Sequence, residues 1–169
     1  MTFDELDEGA AVFLDANVFI YHFVKSSPQC SSFLGRCESR KLRGATSVLI
    51  LAEVSHRLMM IEAVEKGLVS SGRVARKVSA RTGLVRQLSD YEVAVQAILA
   101  MGIEVAPVTE LTLLQGLRLQ RRYGLLTNDS LIVATMLQNG FRLLATADRR
   151  FTSVSEIETV MPSDLPVGN

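Results

Sequence analysis

The chain is poor in the residues that build disulfide-stapled or fibrous scaffolds. It has 2 Cys, 4 Pro and 11 Gly among 169 residues, too few for a disulfide framework or a collagen-like repeat. Cys30 and Cys37 stand seven positions apart in a segment that reads as helical. That is about 10.5 Å along the axis, too far for a disulfide, so both read as buried thiols rather than a redox or zinc pair. Long apolar runs are also missing. The longest, such as Val48 to Ala52, has five residues, whereas a spanning helix needs about 20. The opening residues MTFDELDE are acidic where a signal peptide carries positive charge. These absences predict a soluble, cytoplasmic protein with no membrane contact. Net charge is absent too, with 18 Lys+Arg against 18 Asp+Glu. A neutral total excludes strong nonspecific attraction to polyanions. It leaves local binding open, because phosphates respond to local positive charge.

What is present is apolar surface. Hydrophobic residues make up 48% and charged ones 21%, enough burial to offset ordering entropy in one domain. The apolar run Ala11-Val12-Phe13-Leu14 ending in Asp15 suits a buried parallel strand. Helices follow from about Asn17 to Lys25 and from Pro28, the latter opening with Ser26-Ser27-Pro28. Ala45-Thr46 reads as a second short strand. A long helix capped by Thr46 or Ser47 comes next, with Val48, Leu51, Val54, Leu58 and Ile61 on one face. Ser70 to Leu99 continues as helix up to a stop at Gly102. Ile103 to Ala106 is a third strand, Thr109 to Tyr123 a helix closed by Gly124, and Thr127 to Asn139 another helix. Arg142 to Thr146 is a fourth strand and Ile157 to Val160 a fifth.

Strands alternating with helices imply a three-layer α/β/α fold around a mainly parallel sheet of four or five strands. The whole chain, 1–169, reads as one domain. It has an acidic N-terminal arm over 1–10, an additional helical segment over about 62–100 and a loose tail over 161–169.

Ligands of open parallel sheets bind beyond the carboxyl ends of the strands. Four carboxylates map there: Asp15 ending the first strand, Glu53 in the helix after the second, Asp129 opening the helix before the fourth, and Asp148 just past the fourth. Each has a plainer reading. Asp129 is a common helix-start residue, Asp148 a turn residue and Glu53 a solvated helix residue. Asp15, directly after Val-Phe-Leu, needs a partner if it is buried. Together, four carboxylates would repel one another unless a divalent cation neutralised them, and all-oxygen ligands select Mg²⁺ or Mn²⁺ over zinc. His22 and His56 read as ordinary half-buried histidines.

Four segments resemble the motifs of the PIN-domain ribonucleases, VapC-type toxins in particular: Val12-Phe13-Leu14-Asp15-Ala16-Asn17, Thr46-Ser47 through Ala52-Glu53-Val54, Leu126-Thr127-Asn128-Asp129-Ser130, and Leu144-Ala145-Thr146-Ala147-Asp148-Arg149-Arg150-Phe151. They occur in the family's order, each with its acidic residue. The resemblance implies a PIN-like fold and a Mg²⁺- or Mn²⁺-dependent endoribonuclease, with Asp15, Glu53, Asp129 and Asp148 as metal-binding residues. Asp15 and Asp129 would touch the metal directly, and Glu53 and Asp148 directly or through water. Asn17, Thr46, Asn128, Ser130, Thr146 and Arg149 would be positioning residues. The partners implied are an RNA substrate, a small antitoxin protein and a second copy in a homodimer. Asn17 stands where many relatives carry Thr or Ser, and the stretch from Glu53 to Ile103 is longer than in compact members.

Other readings fit less well. An aspartate-nucleophile phosphatase would need a second Asp at position 17, where Asn stands. Neither G-x-G-x-x-G nor G-x-x-x-x-G-K-[ST] occurs. A catalytically silent PIN-like module binding RNA or protein is the main alternative. Finally, Lys66, Arg73, Arg76, Lys77, Arg81 and Arg86 give residues 66–89 a charge of +6 with no acidic residue. On a regular helical wheel these positions spread widely, which reads as a basic helix and not as one sharp stripe.

Overall fold

In the computed structural model, which describes residues 1–165, five strands form one sheet in the order β3-β2-β1-β4-β5. The strands are β1 Ala11–Leu14, β2 Arg43–Ser47, β3 Glu104–Ala106, β4 Leu143–Ala145 and β5 Glu158–Val160. Every neighbouring pair is parallel, so the expected α/β class is the observed one. The central strand β1 is buried from Val12 to Leu14, which explains why its sequence is a run of apolar residues rather than an alternation. Strand order turns back at β1: the chain builds outward to β2 and β3, then crosses to β4 and β5. That switch point, between β1 and β4, is where a doubly wound sheet opens a crevice at its carboxyl edge.

Local side-chain caps set four of the eight α-helix starts among the described residues. Asp15 caps α1 (Ala16–Phe23), its carboxylate accepting from Ala16 N. Ser27 caps α2 (Pro28–Glu38), with Pro28 in the first turn. Ser47 caps α3 (Val48–Glu65) through Ile50 N. Thr109 and Thr112 cap α7 (Glu110–Tyr123), which ends at Gly124 in the left-handed conformation at φ 68°. Helix α8 (Thr127–Gln138) follows at once. The principal core gathers Phe13, Phe19, Phe33, Phe141, Phe151, Ile50 and Ile132. Cys30 and Cys37 lie in it as free thiols, and burial pushes them up to about 11 and about 12.

Two segments differ from their sequence reading. The stretch from Ser70 to Leu99 is three helices, α4 (Val74–Ser79), α5 (Thr82–Val85) and α6 (Asp90–Ala100); α4 and α5 pack on a small separate core of Ala63, Val69, Val78 and Leu88, while α6 puts Ala94 and Ile98 into the principal core. The physical cause of the last break is Glu62. Its buried carboxylate accepts from the backbone N–H groups of Ser89, Asp90 and Tyr91 at 2.9, 3.0 and 3.2 Å, so α6 starts on a side chain contributed by α3. The other difference is at the ends. Ser163 N and Asp164 bond to Gln29 and Ser27, so residues 161–165 are tied down; 166–169 lie outside the described residues. The acidic arm is pinned as well, with Phe3 stacked on Phe33 at 4.4 Å and Arg36 donating to the carbonyls of Phe3 and Leu6.

Candidate metal centre and nucleic-acid cleft

Asp15 follows β1 directly, and its carboxylate is buried at the switch point. One oxygen accepts from Ala16 N at 2.7 Å. The other accepts from Asn17 Nδ2 at 2.5 Å and from the Thr146 hydroxyl at 2.7 Å. Asn17 also donates to Thr146 Oγ1 at 3.1 Å, while its own carbonyl receives Ala147 N at 2.9 Å. Thr146 Oγ1 further receives Asp148 N at 3.0 Å. The ends of β1 and β4 are thus joined by side chains, and Asp15 is held in one orientation. Thr46 ties β2 to the same edge by donating to Leu14 O at 3.2 Å.

Burial pushes the Asp15 carboxyl up to about 6, against the pull of its Thr146 and Ala16 hydrogen bonds, and the charges of Glu53 and Asp148 add to the rise. Glu53 stands in the second turn of α3. Glu53 itself is half-buried, with Arg57 at 3.8 Å. Asp129 lies in the first turn of α8, and burial raises it too, although Arg150 opposes the shift. Asp148 moves the other way, because the Arg150 guanidinium bound to it lowers its pKa.

Arg150 is the residue that sequence reasoning underrated. Asp148 caps the single 3-10 turn Arg149–Ser153 through Arg150 N, which folds the Arg150 side chain back onto the carboxylates. Its guanidinium pairs with Asp148 and lies 3.1 Å from Asp129 Oδ2. Among the described residues no three His, Cys, Asp or Glu side chains are gathered closely enough to hold an ion as they stand. An internal cation bridges two of the four instead. The only sequence signal for this was the two-residue spacing from Asp148.

The donor set nevertheless fits a hard divalent cation. Asp129 Oδ2 is buried without a hydrogen bond, since Arg150 approaches without hydrogen-bond alignment. Together with two carboxyls raised by burial, this marks a place where extra positive charge is favoured. Clefts flank the cluster. One of about 370 Å³ is lined by Asn17, Tyr21, Arg57, Ala147, Asp148 and Arg149. Another of about 300 Å³ runs past Tyr123, Leu126, Asp129 and Arg150.

The remaining expected residues lie nearby with differing surroundings. Ser130 is buried and donates to Thr127 O at 2.8 Å, bracing the first turn of α8. Asn128 and Arg149 are exposed. His22 bonds to Ser31 at 2.9 Å.

The profile of the PIN domain family matches residues 12–157. The chain belongs to the PIN domain family. Solved structures similar to this PIN domain include VapBC2 from Rickettsia felis bound to a DNA fragment from their promoter, at TM-score 0.59 and 16% identity, covering 89% of this chain and 98% of that one. PAE2754 from Pyrobaculum aerophilum matches at TM-score 0.54 and 15% identity, covering 89% and 91%. A toxin-antitoxin complex from Klebsiella pneumoniae matches at 0.52 and 15%, covering 88% and 96%. Comparison of the sequence with curated proteins yields no match. At these identities the structural neighbours establish the fold alone.

Proposed function

We propose that this PIN domain is a Mg²⁺- or Mn²⁺-dependent endoribonuclease acting in the cytoplasm as the toxin of a toxin–antitoxin pair. The observation that carries the reading is the buried, donor-locked Asp15 at the switch point, together with an Asp129 oxygen that is approached by Arg150 but lacks a hydrogen bond. Asp15 and Asp129 would hold the ion directly, and Glu53 and Asp148 directly or through water. A bound divalent cation supplies Lewis-acid charge at a phosphodiester and lowers the pKa of an attacking water.

The chain's own residues set the geometry. Asn17 and Thr146 fix the Asp15 carboxylate, Thr46 anchors β2 to the end of β1, and Ser130 braces the turn bearing Asp129. Arg57 and Arg149 stand at the mouth of the larger cleft, where guanidinium donors suit RNA phosphates. Asn128, exposed beside Asp129, would contact substrate. No covalent enzyme intermediate is required. Residues 62–100 act as an elaboration of a single domain.

The antitoxin partner is supported by similar structures described as toxin–antitoxin complexes. A homodimer is supported by α7, which exposes Leu111, Leu113, Leu114 and Leu117 while its opposite face is buried. An apolar surface of this kind marks an interface. A monomeric mass in solution would overturn the dimer.

The deciding experiment incubates purified protein with single-stranded and structured RNA in Mn²⁺. Cleavage lost on adding EDTA, and lost together with Mn²⁺ binding in Asp15→Asn, is the expected result. If no RNA is cut and Asp15→Asn leaves Mn²⁺ binding unchanged, the nuclease reading fails. RNA binding without cleavage would favour the silent module.

A further inference from the structure

A further cleft lies away from the carboxylates. It has about 530 Å³ and is lined by residues 67–70 together with Arg73, Arg76, Lys77, Ala80 and Arg81. The lining positions repeat at intervals of three and four, so they form one face of α4 and its flanks. The opposite face carries Val74 and Val78, packed on the small separate core. What looked like a diffuse basic segment is therefore sorted by the fold: apolar side inward, guanidiniums around a cleft.

The cations in that cleft have different tasks. Lys77 Nζ donates to Ser70 O, Ser70 Oγ and Ser71 O at 2.9, 2.7 and 3.0 Å. All three of its protons are used in holding the loop that forms the opposite wall. Arg73, Arg76 and Arg81 are exposed, and among the described residues none pairs with a carboxylate. Arg73 also adopts φ 50°, ψ 36°, a left-handed conformation uncommon for a side chain of this size.

We propose that this cleft is a second phosphate site, binding the backbone of an RNA whose scissile bond lies at the carboxylates. Helix α4, Val74–Ser79, covers about 9 Å of axis, the rise of two to three nucleotides of a stacked strand, with Arg73 and Arg81 just beyond its two ends. Guanidinium forks suit phosphate oxygens better than point charges do. From Glu53 to Gly67 is about 20 Å along α3, so one RNA can occupy both places only if it spans that distance. The ligand assignment rests on the nuclease reading; the site itself does not.

The test measures binding in EDTA, so that cleavage does not intervene, by anisotropy of a labelled 24-nucleotide RNA and of a labelled 4-nucleotide RNA. In the triple variant Arg73→Gln, Arg76→Gln, Arg81→Gln, affinity for the long RNA should fall at least tenfold. The slope of log affinity against log salt should drop by about 2, near 0.7 per lost phosphate contact. Binding of the short RNA should fall as well, because four nucleotides can lie wholly in the cleft; Mn²⁺ binding should not change, and Arg86→Gln, outside the cleft, should match wild type. Should the triple variant not fold, each single variant should lower the slope by about 0.7. An unchanged slope overturns the proposal, as does polyglutamate competing as well as RNA of equal charge. Failure of the nuclease reading looks different: RNA bound in EDTA but never cut when Mn²⁺ is added.

Discussion

Near the N-terminal end of α3, Glu53 adds its charge to carboxylates carried on strand ends and bound into one hydrogen-bonded set. Beyond its C-terminal end, residues 67–89 wrap a basic cleft with two short helices and loops. The acidic end is held redundantly, since Asp15 has three donors, Asn17 three contacts and Thr146 a bond from each side. The basic end depends on a few side chains, Lys77 for the loop and Glu62 for the start of α6. Sites anchored in a sheet tolerate single losses better than sites hung on one staple. That difference yields predictions of decreasing size.

The largest effect belongs to Glu62. It is 4% exposed and receives Lys66 and three backbone N–H groups. Burial pushes its carboxyl up, but those donors outweigh it and bring it down to about 2. Its stabilisation is therefore present above the ordinary carboxylate range and fades as pH falls toward 2. Glu62→Ala leaves buried donors unpaired and should cost about 3 kcal/mol. Hydrogen exchange should show the loss concentrated in residues 66–100, while Mn²⁺ affinity stays within twofold. Loss of Mn²⁺ binding in this variant would erase the contrast between the two ends.

The same contrast governs what could be read from the sequence. Strand β1 shows as an unbroken apolar run because both faces of a central parallel strand are buried, and Asp15 stands out by ending it. The caps at Ser27, Ser47 and Thr109 are local, so residue type and spacing disclose them. The break before α6 is not local. It depends on Glu62 meeting backbone 27 to 29 residues away, and a glutamate in an apolar helix carries no mark of that contact. Arg150 was hidden similarly: adjacency to Asp148 was visible, but its approach to Asp129 required the fold.

At the acidic end the next effect depends on pH. The folded pKa of Asp15, about 6, lies above that of an ordinary aspartate, so the metal-free protein gains from a protonated Asp15. That gain is full below about pH 4 and is lost as pH rises through 6, on the order of 3 kcal/mol in all, with about 2 kcal/mol of it falling between pH 4.5 and 7.5. Urea unfolding in EDTA between pH 4.5 and 7.5 should show wild type losing stability relative to Asp15→Asn as pH rises. With Mn²⁺ present the trend should reverse, because the ionised carboxylate is the form that binds metal. Parallel curves for the two proteins in EDTA would show that Asp15 is not strained by burial.

The smallest effect on stability, and the most direct comparison of protein cation with metal, comes from Arg150. Its side chain is 57% exposed, so screening limits its pairs with Asp129 and Asp148 to less than about 1 kcal/mol of stability. Yet it occupies the charge position that a divalent ion would take, and any ion must compete with it. Arg150→Ala should leave the melting temperature within a few degrees of wild type and tighten Mn²⁺ binding several-fold, measured by calorimetry. Arg149→Ala, one residue away but exposed and unpaired with these carboxylates, should leave Mn²⁺ affinity unchanged. Weaker Mn²⁺ binding in Arg150→Ala would mean that the guanidinium organises the carboxylates for the ion. The acidic end would then rest on a single side chain, as the start of α6 rests on Glu62.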